Sequence, residues 1–536
     1  AITDHGSALG AVLFFMFLKA AGIKMIYGVE AYTCDDAKIK DKNNKYYHLV
    51  LLAKNETGRI NLNRLITISE RPENKYYKPR IDLDILREHK DGLIVLSACL
   101  AGEVSKRLMA EDYDGAKTVV AKYKAVFGND YYLEIQAHND PEQIEVNRKV
   151  MLLAKETDTG VVVTADAHYV RPSDKEYQNK YAFFGAYRES EEGAYVDCHV
   201  QSEEEIRAKL DYLDKDLVNR LIENTDSIAA MCNVNIPLSA PIMPEVKVPD
   251  GYKDTTEYLV ALCNEGFEKV LNFASLPDDI ALEYAKRYEY ELDSLKRMGF
   301  VDYILLVHSY ANTTKRRGIA RGSGGGSLIC YLIGITQIDP VKHGLYFERF
   351  IDVGQLYALE SGEISRMELK IPDIDLDFAT DTLGDILRFL YERYGEDKVA
   401  SIGRFGTNKT KGTIRDMCKV LDIDLKEADK ISKAFGEFEI SDIDSMMSGA
   451  IPIVQSAHVA MSYVTRYRKL FDYVRKLNGL PKSFGLHPCG KIVAVQDLDN
   501  YLPSCYDSDG VRYLQGDMHD TDSVGLVKVD VLGLRT

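Results

Sequence analysis

Apolar and polar residues alternate along the first 240 residues in a pattern that predicts an α/β domain. Short runs rich in β-branched residues, such as GLIVLSA at 92–98 and GVVVTADA at 160–167, are separated by stretches with helical periodicity such as AKTVVAKYKAVF at 116–127. Strands that alternate with helices in this way favour a sheet covered by helices. Residues 236–250 contain four prolines and are predicted to form an extended linker.

Helical and strand patterns are also mixed in the second half of the chain. A helical stretch at 281–300 leads to the glycine-rich run RGSGGGSL at 321–328 and then to an acidic strand. Residues 411–477 are mostly helical and rich in basic residues, and GLVKVDVLGL at 525–534 is again a strand. The pattern therefore predicts a multidomain α/β protein without internal repeats.

The acidic strand KIPDIDLDFAT places Asp373, Asp375 and Asp377 at two-residue spacing. On a strand these carboxylates share one face, roughly 6.5–7 Å apart, and the apolar residues share the other. At an effective dielectric of ~20, each neighbouring pair repels by about 2.5 kcal/mol. A calcium loop is excluded because its sixth and twelfth positions would be Phe378 and Gly384. A solvent-facing strand or turn and a platform for two Mg²⁺ ions remain as alternatives.

Two other stretches bear on that choice. In KVD, Lys528 and Asp530 share one strand face, so a third carboxylate could lie beside a cation that neutralises phosphate. The run RGSGGGSL is either a flexible linker or a phosphate cradle formed by glycine N–H groups and the start of a helix. The apolar LICYLIGI that follows it favours a helix start, and therefore the cradle. The run is neither a Walker A loop nor a dinucleotide-binding GxGxxG.

Composition adds the chemical setting. The net charge of −16 argues weakly against non-specific nucleic-acid binding, but residues 405–483 hold 13 Lys and Arg against 10 Asp and Glu. Nine dispersed cysteines without a CxxC pair fit a reducing cytosol. The apolar run Ala8–Leu18 is too short to span a bilayer and is predicted to be a buried helix. We therefore expect a cytoplasmic protein with no membrane partner.

A series of motifs follows one another along nearly the whole chain: AITDHGSALGAVLFF, GVEAY, HLVLLAKN, LSACLAGEV, ADAHY, GFVDYILLV, RGSGGGSL, DP and FERF, PDIDLDF, FGTNKTKGTIRD and VKVDVLGLRT. In this order they resemble the C family of DNA polymerases, the alpha subunits of bacterial DNA polymerase III. The resemblance implies a distorted (β/α) barrel of the polymerase-and-histidinol-phosphatase (PHP) type, followed by a nucleotidyltransferase-type α/β palm with an inserted, mostly helical thumb. The implied bounds are PHP 1–235, linker 236–250, palm 251–404, thumb 405–485 and second palm segment 486–536.

The resemblance also implies residue roles in the palm and thumb. Its catalytic, Mg²⁺-binding carboxylates correspond to Asp373, Asp375 and Asp530, with Asp377 accessory. Its triphosphate contacts correspond to Gly322, Ser323, Arg349 and Lys528. Lys411 and Arg415, spaced i,i+4 on a helix face, are either contacts to the DNA backbone or part of a solvated face.

For the PHP domain, the resemblance implies a cluster of metal ligands. Imidazole, carboxylate and thiolate groups together suit Zn²⁺, Mn²⁺ or another transition metal. Such a cluster implies 3′→5′ exonuclease activity by metal-assisted phosphodiester cleavage. The corresponding residues are His5, Glu30, His48, Cys99, His138, Asp166 and His168.

The expected function is template-directed DNA synthesis by two-metal transfer of nucleotides from dNTPs to a primer 3′-OH. The expected partners are primer–template DNA, dNTPs, the sliding clamp and other replisome subunits. The alternatives are a PHP phosphoesterase whose C-terminal part binds nucleic acid, and a non-enzymatic DNA-binding or assembly module. We expect the sequence to be a fragment, with the HxH opening of the PHP domain before Ala1 and the fingers after Thr536. On its own it is expected to support little or no processive synthesis.

Overall fold

The computed structural model describes residues 1–184 and 197–534 and contains two mixed β-sheets and an inserted group of helices. In the first part the strands are β1 Gly28–Thr33, β2 Tyr47–Ala53, β3 Arg80–Ile81, β4 Leu93–Leu96, β5 Tyr131–Gln136 and β6 Val161–Thr164. The helices are α1 Ala11–Ala20, α2 Glu56–Glu70, α3 Leu83–Glu88, α4 Glu103–Met109, α5 Tyr113–Phe127, α6 Pro141–Thr157, α7 Lys175–Phe184, α8 Glu203–Lys209 and α9 Lys215–Met231. The predicted alternation of strands and helices is confirmed.

The first sheet has the order β3-β1-β2-β4-β5-β6. Strand β2 runs antiparallel to both β1 and β4, while β4, β5 and β6 are parallel to their neighbours in the remaining pairs. Within the described residues β3 and β6 do not pair, so these strands form an open sheet. One face packs in a large apolar core, and α9 covers part of the other.

The second sheet has the order β10-β11-β8-β9-β12-β7. Its strands are β7 Asp375–Ala379, β8 Val399–Thr407, β9 Pro481–Val493, β10 Ser504–Tyr506, β11 Arg512–Leu514 and β12 Lys528–Leu534. The helices around it are α10 Thr255–Lys269, α11 Asp278–Met298, α12 Val301–Ala311, α13 Leu328–Leu332, α14 Val353–Ser361, α15 Leu383–Tyr394 and α21 Met518–Ser523. Parallel pairing of β7 with β12 joins segments far apart in the chain.

Five helices are inserted between the antiparallel strands β8 and β9 and enclose a core of their own. They are α16 Thr410–Val420, α17 Leu425–Ala434, α18 Ile440–Met447, α19 His458–Arg466 and α20 Arg468–Leu477. Helix α7 of the first part contacts this insertion: the Tyr177 ring lies 5.2 Å from that of Tyr473, and the Tyr181 hydroxyl donates to the Pro481 carbonyl. The insertion is therefore held at its base by two strands and at its side by α7.

The apolar run near the N-terminus forms helix α1, but the prediction of a buried helix is wrong for half of its surface. Ala11, Val12 and Phe15 are buried, whereas Leu13 and Phe17 are 57% and 67% exposed. The sequence is apolar all round the helix, while the protein packs against only one side of it. Among the described helices, none is both long and apolar enough to cross a membrane.

The proline-rich segment 236–250 contains no helix or strand, as predicted, but it forms backbone hydrogen bonds to the second part of the chain. Ser239 N–H donates to the Ser523 carbonyl at 3.1 Å, and Ile242 N–H donates to the Gly525 carbonyl at 2.8 Å. These bonds fix the segment against the turn after α21. Its path is therefore set by contacts rather than by chain stiffness alone.

The two sheets share a continuous hydrophobic core. Residues of the second sheet, including Ile402, Ile492 and Leu514, belong to the same buried cluster as the first sheet. Helix α2 adds polar contacts across this boundary: Thr67 Oγ1 donates to Asp499 Oδ1 at 2.7 Å and accepts from Ser504 N–H at 2.9 Å. The boundary is therefore packed like a domain interior, with its polar groups paired.

Candidate functional site

Three carboxylates meet at the edge of the second sheet. Asp530 on β12 lies opposite Asp375 on β7, and Asp373 lies two residues before β7 begins. Asp373, Asp375 and Asp530 each offer an oxygen within 4.8 Å of the others. The predicted alternation is confirmed, because the residues between the acids are buried: Ile374, Leu376 and Phe378. Strand β7 begins at Asp375 and is shorter than predicted. Asp373 therefore joins the cluster from the segment that precedes the strand.

The charges in this cluster do not balance. Lys528 Nζ lies 2.7 Å from Asp530 Oδ2. Burial raises the pKa of Asp373 to about 6, with Lys528 opposing the shift and Asp530 and Asp375 adding to it. Burial disfavours the charged form of Lys528, but the hydrogen bond to Asp530 and the surrounding carboxylates outweigh it and raise the pKa of Lys528. One lysine faces three carboxyl groups, an arrangement suited to binding a divalent cation.

Asp377, to which the sequence assigned only an accessory role, has a different partner from the other acids. Its Oδ1 accepts a hydrogen bond from Arg321 Nη1 at 3.0 Å. The same guanidinium places Nε 3.8 Å from Asp375 Oδ2. Asp377 therefore anchors an arginine beside the cluster and is not itself one of the three converging acids.

The start of the glycine-rich run lies against the carboxylates. Gly322 has a φ of +68°, and a Cβ at this position would lie 3.4 Å from Asp375 Oδ2. The contact distance is ordinary, so the left-handed backbone is what favours glycine here. Ser323 Oγ donates to the Asp373 carbonyl at 3.4 Å. Two of the predicted triphosphate contacts are thus adjacent to two of the predicted catalytic acids.

Helix α13 follows the glycine-rich run as predicted, but its N-terminus does not face a ligand. The Glu291 carboxylate on α11 accepts from the N–H groups of Leu328 and Ile329 at 2.9 and 3.1 Å, and from Ser327 Oγ at 2.7 Å. Arg287 Nε lies 2.6 Å from the same carboxylate, which is fully buried. The expectation that this helix start helps to cradle phosphate is therefore wrong, because an internal carboxylate already occupies that place.

Arg349 lies in the short helical turn Phe347–Arg349, beside the end of the glycine-rich run. The two segments touch, because a Cβ on Gly326 would lie 2.6 Å from the Tyr346 carbonyl oxygen. The Arg349 side chain is exposed. It is therefore accessible to an anion that approaches the loop from solvent.

The two basic residues predicted to contact DNA lie on helix α16 of the insertion. Lys411 and Arg415 are both exposed, one turn apart. Arg415 Nε lies 3.2 Å from Asp429 Oδ1, so part of its charge is offset. The geometry is compatible both with a DNA contact and with a solvated helix face.

His487 lies on β9, the strand that pairs with β12. Its Nδ1 accepts from the N–H groups of Cys489 and Gly490 at 3.3 and 3.0 Å, and Gly490 pairs with Asp530 in the sheet. The ring proton is consequently assigned to Nε2. Burial lowers the pKa of His487. The His487 imidazole thus stands next to the strand that carries the third carboxylate.

The second group of predicted ligands lies in the first part of the chain. Glu30 on β1 is nearly buried and lies between two imidazoles, with its Oε2 3.2 Å from His5 Nδ1 and its Oε1 2.7 Å from His48 Nδ1. Cys99 Sγ lies 3.5 Å from His48 Nδ1 and 3.6 Å from Glu30 Oε1. Strands β1 and β2 and the segment after β4 bring Glu30, His48 and Cys99 together. His5, Glu30 and Cys99 border a cavity of about 730 Å³.

Asp166 and His168 follow β6 and line the same cavity. The His168 ring centroid lies 6.0 Å from that of His5. His138 differs from the other predicted ligands, because its Nε2 lies 2.8 Å from the Ala165 carbonyl oxygen and is used by the backbone. Only Nδ1 of His138 is therefore left for a metal ion.

The protonation of these groups fits a site that needs a cation. Burial disfavours ionised Glu30, but the hydrogen bond and charge of His48, and the charge of His5, lower the pKa of Glu30 overall. Burial, followed by the charges of Glu30 and Asp166, raises the pKa of Cys99 well above that of an ordinary thiol. A coordinated cation would favour the thiolate instead.

Sequence reasoning missed two buried acids. Glu291 caps α13, and Glu134 on β5 lies in the first cavity, where burial raises its pKa to about 7. Glu134 had a recognisable signal in the sequence. Glu134 is a charged residue within the apolar run YYLEIQA, and a charge on a buried parallel strand requires a partner.

The two donor sets suit different ions. Asp373, Asp375 and Asp530 offer only carboxylate oxygens, the ligands preferred by Mg²⁺. The first cavity combines imidazole, carboxylate and thiol groups, which are typical of transition-metal sites. The residues at both places therefore fit divalent metal ions.

Comparison with known proteins gives consistent matches to both parts. A family model for the bacterial DNA polymerase III alpha NTPase domain matches residues 257–533, just over half of the chain. A PHP domain model matches residues 1–138. The DNA polymerase III alpha subunits of Aquifex aeolicus and Thermus aquaticus are each 32% identical to this chain over its full length and 48% of theirs. The corresponding subunit of Borreliella burgdorferi is 33% identical over the full chain and 45% of its own length, so the chain spans about half the length of these relatives.

The matches fall on the two parts of the fold that hold the candidate centres. The 257–533 match contains the three converging carboxylates and Lys528, and the 1–138 match contains His5, Glu30, His48 and Cys99. The larger match covers the glycine-rich run, the acidic strand, the helical insertion and most of β12. This chain therefore belongs to the bacterial DNA polymerase III alpha family.

Proposed function

We propose that this chain contains the catalytic centre for template-directed DNA synthesis and acts within the catalytic subunit of a bacterial replicase. The reaction transfers a nucleotide from a dNTP to a primer 3′-OH. The observation that carries the proposal is the convergence of Asp373, Asp375 and Asp530 beside Lys528, in a chain whose relatives are named DNA polymerase III alpha subunits.

Each residue near the carboxylates has a stated task in this reaction. Asp373, Asp375 and Asp530 would hold two Mg²⁺ ions. Bound there, the ions would supply activation of the primer hydroxyl and stabilisation of the pyrophosphate leaving group. Lys528 neutralises phosphate charge. Binding of the triphosphate is completed by backbone and side-chain groups of Gly322, Ser323 and Arg349.

The proposed domains are a PHP domain at 1–235, a linker at 236–250, a palm at 251–404 and 486–536, and a thumb at 405–485. The thumb assignment is supported by the separate core of the five inserted helices and by their place between β8 and β9. The PHP assignment is supported by the alternating strands and helices of the first part. The proposed form of this domain is a distorted (β/α) barrel. Among the described strands, its sheet is open between β3 and β6.

The proposed partners follow from the reaction. They are primer–template DNA and dNTPs, together with the sliding clamp and other replisome subunits. The proposed location is the cytoplasm, where a bacterial chromosome is replicated.

Primer extension by the full-length protein tests the main proposal. We expect template-directed incorporation of labelled dNTPs in the presence of Mg²⁺ and its complete loss when EDTA removes the metal. Restoring Mg²⁺ is expected to restore synthesis. Release of phosphate from small phosphoesters without dNTP incorporation would instead favour a PHP phosphoesterase. Normal DNA affinity without binding of Mg²⁺–dNTP would favour a DNA-binding module.

The proposed DNA contacts of α16 are tested by the salt dependence of binding. Each phosphate contact contributes about 0.9 to the slope of log K against log salt for B-DNA. Replacing both Lys411 and Arg415 with alanine is therefore expected to reduce the slope by about 2. The matched control replaces Lys426 and Lys430, which lie four residues apart on α17. An unchanged slope in the α16 variant would show that its charges belong to a solvated face.

We also propose that the PHP cavity binds Zn²⁺ or Mn²⁺ and carries 3′→5′ exonuclease activity. The proposed ligands are His5, Glu30, His48, Cys99, His138, Asp166 and His168. A metal bound there would supply an activated water for phosphodiester cleavage.

Asp166→Ala in the full-length protein is expected to lower the content of bound transition metal and to abolish the exonuclease. Primer extension should persist, because the three converging carboxylates lie in the second sheet. Asp211→Ala, which changes an exposed acid of the same part, is the control. Exonuclease activity that survives Asp166→Ala, or wild-type protein without bound transition metal, would refute the assignment.

A further inference from the structure

Glu134 is the acid in the first cavity that none of the preceding roles explains. It lies on β5 and is only 5% exposed. Its Oε1 accepts hydrogen bonds from Thr164 Oγ1 at 2.6 Å and from Gln136 Nε2 at 3.4 Å. Its Oε2 is buried and has no hydrogen-bond partner among the described residues. One half of the carboxylate is therefore fixed and the other half is unpaired.

The strand geometry directs this side chain into the cavity. Leu133 and Ile135, which flank Glu134, are fully buried in the large core on the other face of the sheet. Alternation along β5 places Glu134 and Gln136 on the opposite face, together with Thr164 of β6. All three line the cavity that also holds the proposed metal ligands. The residue that carries the unpaired oxygen thus belongs to the wall of this cavity.

The composition of the cavity wall indicates what the unpaired oxygen requires. Four carboxyl groups line the cavity, those of Asp4, Glu30, Glu134 and Asp166. No lysine or arginine side chain is found among its described lining residues. A buried carboxylate oxygen without a donor or cation costs stability, and the cost is larger when the group is charged. Because the described lining residues offer no lysine or arginine, a bound metal cation is a partner that would remove this cost.

We infer that Glu134 is a further metal ligand of the PHP centre, offering Oε2 to a transition-metal ion while Thr164 and Gln136 hold Oε1. This inference rests on the proposed PHP metal centre and extends its ligand set. The two hydrogen bonds to Oε1 fix the orientation of the carboxylate in the absence of metal. Such outer partners are a regular feature of metal-binding carboxylates.

A purely structural role for Glu134 makes a different prediction. Glutamine has the same shape and retains a carbonyl oxygen that accepts from Thr164 and Gln136, so Glu134→Gln would preserve a structural role. The substitution removes the negative charge and replaces the unpaired oxygen with an amide. Loss of metal from a folded Glu134→Gln protein therefore reports on ligation.

The test measures Zn²⁺ bound to the full-length protein after equilibrium dialysis against buffered Zn²⁺, with excess Mg²⁺ present to occupy the polymerase centre. Glu134→Gln is expected to bind at least one Zn²⁺ fewer per chain, or to bind Zn²⁺ at least tenfold more weakly than wild type. The visible absorption spectrum of the Co²⁺-substituted protein should change as well. Glu70→Gln, a buried glutamate of α2 that pairs with Lys75, is the matched control. Circular dichroism verifies that each variant is folded.

The outcomes separate this inference from the proposal on which it rests. If wild type binds Zn²⁺ and Glu134→Gln matches it in stoichiometry, affinity and Co²⁺ spectrum, the ligand assignment is overturned and the metal centre stands. If wild type binds no Zn²⁺ in this assay, both fail. If Glu134→Gln does not fold, Glu134→Asp replaces it: a folded Asp variant with unaltered Zn²⁺ affinity and Co²⁺ spectrum would also overturn the assignment, because the shorter side chain would displace a ligand oxygen.

Discussion

Asp375→Asn in the full-length protein is expected to lower the rate of primer extension at least about 1,000-fold. Asp375 lies opposite Asp530 at the point where β7 and β12 pair, and its oxygen is part of the converging set. Bound metal ions contribute several kcal/mol of transition-state stabilisation, and a loss of about 4 kcal/mol corresponds to roughly a 1,000-fold lower rate. Affinity for primer–template DNA should change less than about threefold, since DNA is gripped mainly through its phosphates elsewhere.

Two neighbouring acids provide graded controls for this experiment. Asp377→Asn weakens the anchor of Arg321 but leaves the three converging acids intact, so extension should fall less than about tenfold. Asp381→Asn changes an exposed acid that pairs with Arg316 in the described part of the chain and should have little effect. Steady-state extension and fluorescence anisotropy measure the two quantities. Extension that persists in Asp375→Asn would remove this residue from the catalytic set.

Arg59→Met is expected to lower the free energy of unfolding by about 3 kcal/mol. The Arg59 side chain is 1% exposed on helix α2 and donates to the Tyr501 carbonyl at 3.3 Å and the Asn500 carbonyl at 2.5 Å. Methionine can fill much of the same volume but cannot donate. The Asn500 carbonyl would then lose this donor across the boundary between the two sheets, and the Tyr501 carbonyl would keep the 3.4 Å bond from Asn63 Nδ2. The Glu56 carboxylate would lose its partner on the same helix.

Urea unfolding of the full-length protein measures this effect. At a slope of about 3 kcal/mol per molar urea, the midpoint should fall by about 1 M. Arg64→Met is the control on the same helix, because Arg64 is 38% exposed and its closest acid, Asp497, is 3.8 Å away. Exposed pairs of this kind contribute at most about 1 kcal/mol. Equal midpoints for wild type and Arg59→Met would show that the boundary contacts do not limit stability.

Local periodicity was sufficient to predict the elements that carry the chemistry. Alternation in KIPDIDLDFAT correctly separated the acids from the buried residues between them, and KVD correctly predicted that Lys528 and Asp530 share a face. Local pattern alone could not predict that Asp375 and Asp530, which lie far apart in the chain, are neighbours in the sheet. Their pairing depends on the order of strands in the sheet, which is a long-range property.

Other features escaped prediction because they depend on tertiary contacts. The N-terminus of α13 looked available to phosphate, and only packing of α11 against it shows that Glu291 already fills this position. The exposed side of α1 was not predicted either, because an apolar sequence does not show how much of a helix is covered by its neighbours. The resemblance implied which residues of the PHP cavity bind metal, but it did not identify Glu134. The unpaired oxygen of Glu134 is visible only in three dimensions.

The shared core of the two sheets has an evolutionary consequence. Under the proposed assignment, a mutation that removed a metal-binding side chain from the PHP cavity would cost the lineage an activity, whereas deletion of the gene segment encoding that domain would expose the apolar face formed by Ile402, Ile492 and Leu514. Exposure of a buried apolar face destabilises what remains. Selection for a folded second sheet would therefore retain this domain even in descendants that did not use its proposed chemistry.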